Sequence, residues 1–412
     1  MSYLLDDDPE VATIINRERT RIENTINLVA AENHCPRSVL EALGSVFNMK
    51  AAEGYPGNRF HAGCIHADAL EALAISRAKR LFGADHVNVQ PHSGVSANFA
   101  VYFSVLDPGD RILAMKLSHG GHLSHGDAAS ITGKCFQFLH YGLDPGTQQI
   151  DYKQVEELAS TFKPKMIVAG ASSYSRLIDY EKMARIAESV SAYLMVDMAH
   201  IAGLVAAGVI PNPVPFSDFV TFTTYKTMRG PRGGVILCRK DYGTTIDRAV
   251  FPGSQGTPSL NMIAAKAACF KLAQEPDFIT LQKNILINAA RFAREFEDKG
   301  YRIVSGGTQN HLIVIDLRPK GLTGNVSEAV LESVGVIVNR NVIPNDPENF
   351  KVTSGIRLGS PAISARGMGI REVRQIAELM DRALTHRDRK EILDQVSDSV
   401  SQLCNAFPVY AR

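Results

Sequence analysis

The chain has no surplus of either charge: 44 lysines and arginines stand against 43 aspartates and glutamates, a formal net charge of +1. That balance provides no electrostatic footprint for DNA, RNA or an anionic membrane, and it leaves small-molecule chemistry as the default. Cysteine is sparse and scattered. Cys35, Cys64, Cys135, Cys238, Cys269 and Cys404 form no CxxC pair, which argues against a zinc site or a disulfide framework and resembles reduced thiols. Long apolar runs are missing too; IAGLVAAGVI falls far short of the ~20 residues of a membrane span. The opening residues MSYLLDDDPE are acidic where a presequence would be basic, so a cytoplasmic location is expected. There is no internal repeat, low-complexity tract or flexible linker.

What is present is a chain of 412 residues, 45% hydrophobic and 21% charged, enough to bury large cores in two globular units with a terminal arm. From Asp8 to about Thr25 a polar segment with Val11, Ile14, Ile15 and Ile22 on one stripe predicts an arm helix suited to embracing a partner subunit. The middle alternates helices (66–82, 94–106, 179–191) with strands (86–89, 166–170, 192–197, 219–224), and GGVILCR adds one more strand. Such alternation implies a parallel α/β sheet. Helical patterns at 259–274 and 276–299 lead to YRIVSGG, HLIVIDLR and GVIVN, which suggest a second, smaller sheet. Amphipathic helices over 370–384 and 389–403 could cover it.

Two residues in the middle region carry chemistry. Lys226 lies in TFTTYKTMRGPRGG, 29 residues after Asp197 in YLMVDMAHIAGLVAAG. A lone lysine after a Thr-rich strand is ordinarily a solvated strand-end charge, and a lone aspartate there is ordinarily a cap. Together they fit a pyridoxal phosphate site, which needs an amine to form a Schiff base and an acid facing the pyridine nitrogen. Arg229 and Arg232 would help depress the amine's pKa, and Asp197 would keep the ring nitrogen protonated so that the ring can accept electrons. Asp197 also falls at the carboxyl end of a predicted strand, where open α/β sheets bind ligands.

The motifs EGYPGNRFHAGC, NVQPHSGVSANFAVY, HGGHLSHG, DMAHIAGLVAAG, YKTMRGPRGG, FPGSQGTP, GGTQNHLIVIDLR and SGIRLGSPA together resemble the serine hydroxymethyltransferase family, over about residues 29–378. The resemblance implies a fold-type I, aspartate aminotransferase-like α/β enzyme. Its large, mostly parallel-sheet domain would cover 56–275, after an N-terminal arm over 1–55 and before a smaller α/β C-terminal domain over 276–412. It also implies a homodimer or homotetramer with shared active sites. By the same resemblance Ser93 and Gly94 hold the cofactor phosphate at a helix start, in keeping with the free amides there, and Gly256 and Thr257 belong to the phosphate loop. His122 stacks on the pyridine ring, whereas His119 and His125 are structural or hydrogen-bonding, and no metal is implied. Ser172 and His200 contact the phenolic oxygen, and Thr223 lies near Lys226. Arg357 binds the amino acid carboxylate, and Glu53 exchanges a proton with the substrate hydroxyl or the one-carbon unit, reaching across the dimer interface. Leu117, Gly121, Leu123, Phe251, Asn341 and Phe60 line the folate pocket.

Departures from the family cluster at the substrate: Ala31 replaces a serine, Ala51 a tyrosine and His61 a second tyrosine. Val95, Tyr225, Thr257 and Asn261 depart near the cofactor. The reading is a divergent, cytoplasmic hydroxymethyltransferase with pyridoxal phosphate as cofactor and tetrahydrofolate as one-carbon carrier. Its substrate is serine or an alpha-substituted analogue such as alpha-methylserine with D-alanine. A folate-independent threonine-type aldolase or transaldolase is the second reading, and a non-catalytic pyridoxal phosphate-binding protein the third.

Overall fold

A computed structural model describes residues 3–410. The chain divides into two compact units: a smaller one made of the chain up to His34, Asn284–Thr308 and everything from Leu312 onward, and a larger one made of Cys35–Lys283 with Gln309–His311. Residues 35–55, expected with the arm, group with the larger unit.

The arm helix α1 (Pro9–Asn24) starts where Asp8 accepts a hydrogen bond from Val11 N, with proline in the first turn. Val11, Ile14 and Ile15 remain exposed on this chain.

In the larger unit α2 (Ile65–Phe82) stops at Gly83, which takes the left-handed conformation that ends helices without a Cβ penalty. Helix α3 (Gly94–Val105) opens with a reciprocal cap between Ser93 and Ser96. The sheet comprises β1 (His86–Asn88), β2 (Arg111–Met115), β3 (Gln137–Tyr141), β4 (Met166–Gly170), β5 (Tyr193–Asp197), β6 (Phe219–Thr223) and β7 (Gly234–Cys238), in the order β1-β7-β6-β5-β4-β2-β3. Strands β2 to β6 pair in parallel, and β7 runs against both β6 and β1. Every residue of β4, β6 and β7 is buried, as expected of strands covered on both faces. Helix α4 (Tyr180–Ser189) makes the crossover from β4 to β5, and α5 (Leu260–Leu272) packs on α2.

Two strands differ from the sequence expectation: β2 and β3 were not anticipated. Edge strand β3 is only partly buried, so QFLHY lacks the apolar run that marks its neighbours.

After helix α6 (Pro276–Asp298), the smaller unit forms an antiparallel sheet of β8 (Arg302–Ile303), β9 (Leu312–Asp316), β10 (Asn339–Asn341) and β11 (Gly355–Gly359), ordered β8-β9-β11-β10. GVIVN only touches this sheet. Val336–Ile337 pairs instead, in parallel, with Ile26–Asn27 just after the arm helix. Helices α7 (Ile370–Thr385) and α8 (Lys390–Ala406) bury Val373, Ile376, Met380, Val396 and Val400 against a core that includes Ile313, Ile315 and Ile356.

One cation ties this unit's two ends together. The guanidinium of buried Arg366 donates to Glu23 O and Thr25 O at the end of α1, and to Cys404 O and Phe407 O at the end of α8. A positive charge at two helix carboxyl ends satisfies carbonyls that the helices leave over and complements both dipoles. Arg366→Met is therefore expected to destabilise the protein by about 3 kcal/mol, read as a lower urea midpoint for the smaller unit. An unchanged midpoint would show that the carbonyls do not need the arginine.

Candidate active site

The carboxyl end of β5 sets the site. In the parallel ladders Asp197 lies opposite Gly170 of β4 and Thr221 of β6. A Cβ on Gly170 would fall 2.4 Å from Asp197 O and 2.9 Å from its Cβ, so only glycine allows the two strands to close at this point.

The carboxylate is held from several sides. Oδ2 accepts from Asn98 Nδ2 at 2.9 Å and from His125 Nε2 at 3.1 Å, and Oδ1 accepts from Ala199 N at 3.0 Å. Burial alone would raise its pKa, but the hydrogen bond and charge of His125, then His122 and Asn98, hold it far below the usual carboxylate range. A mostly buried carboxylate is thus held in its ionised form by its partners.

Behind it runs a satisfied polar chain. Asn98 Oδ1 accepts from Thr221 Oγ1 at 2.6 Å, which orients the amide so that its nitrogen serves both Asp197 and Ser124 Oγ, the latter at 2.9 Å. Ser124 Oγ lies 2.8 Å from His122 Nδ1, and Ser124 N donates to the same nitrogen at 3.2 Å. Two donors on Nδ1 place the imidazole proton on Nε2. Burial pushes the His122 pKa down to about 4, opposed by Asp197 and aided by His125 and Lys226.

Lys226 sits on the loop joining β6 to β7. That loop is closed by Thr224 N to Gly233 O, Gly230 N to Thr224 O and Arg229 N to Lys226 O. The next residue, Thr227, donates through Oγ1 to His200 O and accepts from Gly203 N. Lys226 is buried, and its Nζ lies 5.9 Å from the centre of the Tyr225 ring, whose face also meets Arg232 at 4.5 Å. Tyr225, a departure from the family, therefore acts as an aromatic seat for a cation. His200 is stacked on His311, with Nδ1 and Nε2 3.2 Å apart.

One cleft gathers Ser93, Gly94, His122, Ser172, Asp197, His200, Thr223 and Lys226, together with Val95, Asn98, His125 and Tyr225. At one end the first amides of α3 have no partner within the helix, and Gly94 approaches Thr223 so closely that a Cβ would lie 2.5 Å from its Cγ2. A fixed anion, a buried amine, a neutral imidazole and a helix N-terminus are the groups that a phosphorylated pyridine aldehyde requires, so the residues present fit pyridoxal phosphate.

Other expected residues lie elsewhere. Gly256 and Thr257 do not line this cleft; Gly256 borders Glu53, whose Oε1 would be 3.4 Å from an added Cβ. Glu53 is half-buried on a turn fixed by Arg59, which donates to Ala52 O, Gly54 O, Asp68 and the buried Glu71. Gln90 bridges Gly54 O and Glu71. On the same segment His61 has a buried Nδ1 without a hydrogen-bond partner. Phe60 is exposed and meets Phe251 edge to face at 5.6 Å. Leu117 and Leu123 are exposed, while Gly121 is buried against Met115 O. Arg357, Ala31 and Asn341 belong to the smaller unit. There Arg357 Nε donates to Asn339 Oδ1 across β10 and β11, and burial lowers its pKa to about 10, which leaves it charged at neutral pH. Asn341 Nδ2 donates to Val342 O, and Asn261 Nδ2 to Leu43 O. His119 accepts from Leu143 N.

Sequence reading missed Asn98, Arg59 and Gln90. The available signal was a polar residue on a buried face: Asn98 sits among Ala97, Ala100 and Val101, all buried, a position a helix gives to asparagine only when it has partners.

Because the folded-state pKa of His122 lies below the ordinary ~6.5 of histidine, its neutral ring favours the fold fully above that value. The contribution drains away as the pH falls towards about 4. Nitrogen-15 histidine spectra should show His122 neutral, with the proton on Nε2, down to about pH 5; a midpoint near 6.5 would contradict the burial argument. Residues 4–380 match the family model for serine hydroxymethyltransferase, and the chain belongs to that family of fold-type I, pyridoxal phosphate-dependent one-carbon transferases.

Proposed function

We propose that this protein moves a hydroxymethyl group between tetrahydrofolate and a β-hydroxy amino acid, either serine or an alpha-substituted serine such as alpha-methylserine, whose product is D-alanine. The observation that carries the reading is the ionised, triply hydrogen-bonded Asp197 in the same cleft as Lys226. When bound, pyridoxal phosphate supplies an aldehyde for an amine and a ring that accepts the electron pair of the broken Cα–Cβ bond.

The protein's own groups do the rest. Lys226 Nζ is the covalent tether. Asp197 would hold a proton on the pyridine nitrogen of the bound cofactor, and its mostly buried, hydrogen-bonded setting would strengthen that interaction. His122, neutral with Nε2 carrying the proton, offers an uncharged aromatic face. The guanidinium of Arg357 binds the substrate carboxylate through paired hydrogen bonds. Glu53 takes the hydroxyl proton as the carbon–carbon bond opens and returns it on the reverse path. In this reading one copy's Glu53, Phe60 and His61 complete the other's cleft, in keeping with a family whose members are oligomeric. Leu117 and Leu123, exposed on the chain, and Phe251 would offer apolar surface to the flat pteridine, and Gly121 and Asn341 are assigned to folate by the resemblance.

The substrate assignment rests on the small residues. Ala31 and Ala51 stand where the family has a hydroxyl and a phenol, and smaller side chains beside the substrate would admit a methyl group on the alpha carbon.

Borohydride reduction followed by peptide mass spectrometry is expected to place the cofactor on Lys226, and label on any other residue would overturn the site. Purified enzyme with tetrahydrofolate should then consume serine or alpha-methylserine, and Glu53→Gln should lower turnover by roughly 10²–10⁴-fold while cofactor uptake is retained. Acetaldehyde released from threonine at a rate indifferent to folate would favour the aldolase reading instead. Cofactor uptake with no turnover of any of these amino acids would favour a non-catalytic protein.

A further inference from the structure

Lys266, on α5, is a charged side chain that the chemistry above does not use, and it is 1% exposed. Burying an ammonium is costly unless its hydrogen bonds are fully replaced. Here they are: Nζ donates to Val89 O at 2.6 Å, to Pro91 O at 3.1 Å and to Gly234 O at 2.8 Å. An ammonium has three N–H donors and no acceptor, so donors and carbonyls match one to one. A neutral amine would turn its lone pair towards one of those oxygens. Burial lowers the pKa to about 7, with the charge of Glu71 acting the other way.

The three carbonyls belong to segments that converge on the cleft. Val89 follows β1. Pro91 begins the turn that ends at Ser93, the cap of α3. Gly234 is the first residue of β7, where the loop carrying Lys226 ends. Pro91 O also accepts from Gly234 N at 3.0 Å, so the turn and the strand are already tied, and the ammonium adds a bond to each. The glycines around it are required by close approach. A Cβ on Gly233 would lie 2.5 Å from Lys266 Cε, and one on Gly234 would lie 2.1 Å from Ser93 O.

We propose that Lys266 is a positioning residue for the phosphate end of the cofactor: by holding Val89, Pro91 and Gly234 on one ammonium, it fixes the Pro91–Ser93 turn so that the first amides of α3 face the cleft. This rests on the reading that Ser93 and Gly94 receive the phosphate. A lysine that only filled the core would matter equally for any ligand of the cleft, whereas a lysine that sets the turn matters for the phosphate alone.

The test compares two aldehydes that differ only in that group. Apoenzyme is titrated with pyridoxal phosphate and with pyridoxal, following absorbance. In Lys266→Met the dissociation constant for pyridoxal phosphate is expected to rise at least tenfold while that for pyridoxal changes less than twofold, so that the preference for the phosphate collapses. Gly233→Ala, which displaces the lysine without removing it, should shift the same ratio in the same direction by a smaller factor and serves if the methionine variant does not fold. Equal weakening towards both aldehydes, or a preference that stays as in the parent protein, overturns the role of Lys266 alone. A parent protein that takes up neither aldehyde overturns it together with the reading on which it rests.

Discussion

The site depends on keeping one carboxylate charged in a place that disfavours charge. Asp197 stands at the end of β5, and burial by itself would push it towards its neutral form. A neutral acid there would offer no negative charge to a ligand in the cleft. The fold answers with His125, Asn98 and the Ala199 amide, each supplied by a different local structure: the loop after β2, the helix α3 and the turn after β5. The order of the sheet brings these together, because β4 and β6 flank β5 and Gly170 lets the strands close beside the acid. Lys226 comes from the connection that reverses the chain between β6 and β7, so acid and amine are carried by neighbouring strand ends of one rigid sheet.

Buried polar groups of this kind rigidify a site when every member is satisfied and destabilise it when one is not. The run from Thr221 through Asn98 and Ser124 to His122 is satisfied at each link, and it fixes the tautomer of the imidazole as well as its place. A second network under Glu53 follows the same logic. Arg59 grips the carbonyls on both sides of that residue, and Glu71 and Gln90 hold the grip from behind. Removing the arginine would leave Glu71 buried without its counter-charge, a defect worth about 3–5 kcal/mol. The orientation of Glu53 is therefore set by residues that do no chemistry themselves.

Much of this was legible in the residues, for identifiable reasons. Strands β4, β5, β6 and β7 are apolar runs in a doubly covered sheet, and α1, α7 and α8 carry helical stripes, so their periodicity survives tertiary packing. Asp197 and Lys226 could be read because they follow such strands directly. Strand β3 was not legible, since at a sheet edge QFLHY keeps mixed character. The pairing of Val336–Ile337 with Ile26–Asn27 is a long-range contact that local pattern cannot encode. Asn98 and Arg59 were missed because their roles lie in what they hold.

The departures from the family sort by depth, and this bears on what has changed. Within the inner network around Asp197 the expected acid, amine and imidazole are all in place, and the substitutions that reach the cleft, Val95 and Tyr225, are on its wall. Tyr225 has found a new use as a seat for Arg232, so the loss of a histidine there leaves no unsatisfied polar group. The changes at Ala31, Ala51 and His61 differ in kind. Two of them remove side-chain bulk, and the third introduces an imidazole whose buried Nδ1 has no hydrogen-bond partner in its own chain. An unmet nitrogen is tolerated only if something outside the chain satisfies it or if its cost is absorbed elsewhere. The cleft thus keeps its charged groups and their partners, while the departures at Ala31, Ala51 and His61 lie outside its lining and change bulk and hydrogen bonding rather than the charge of the cleft.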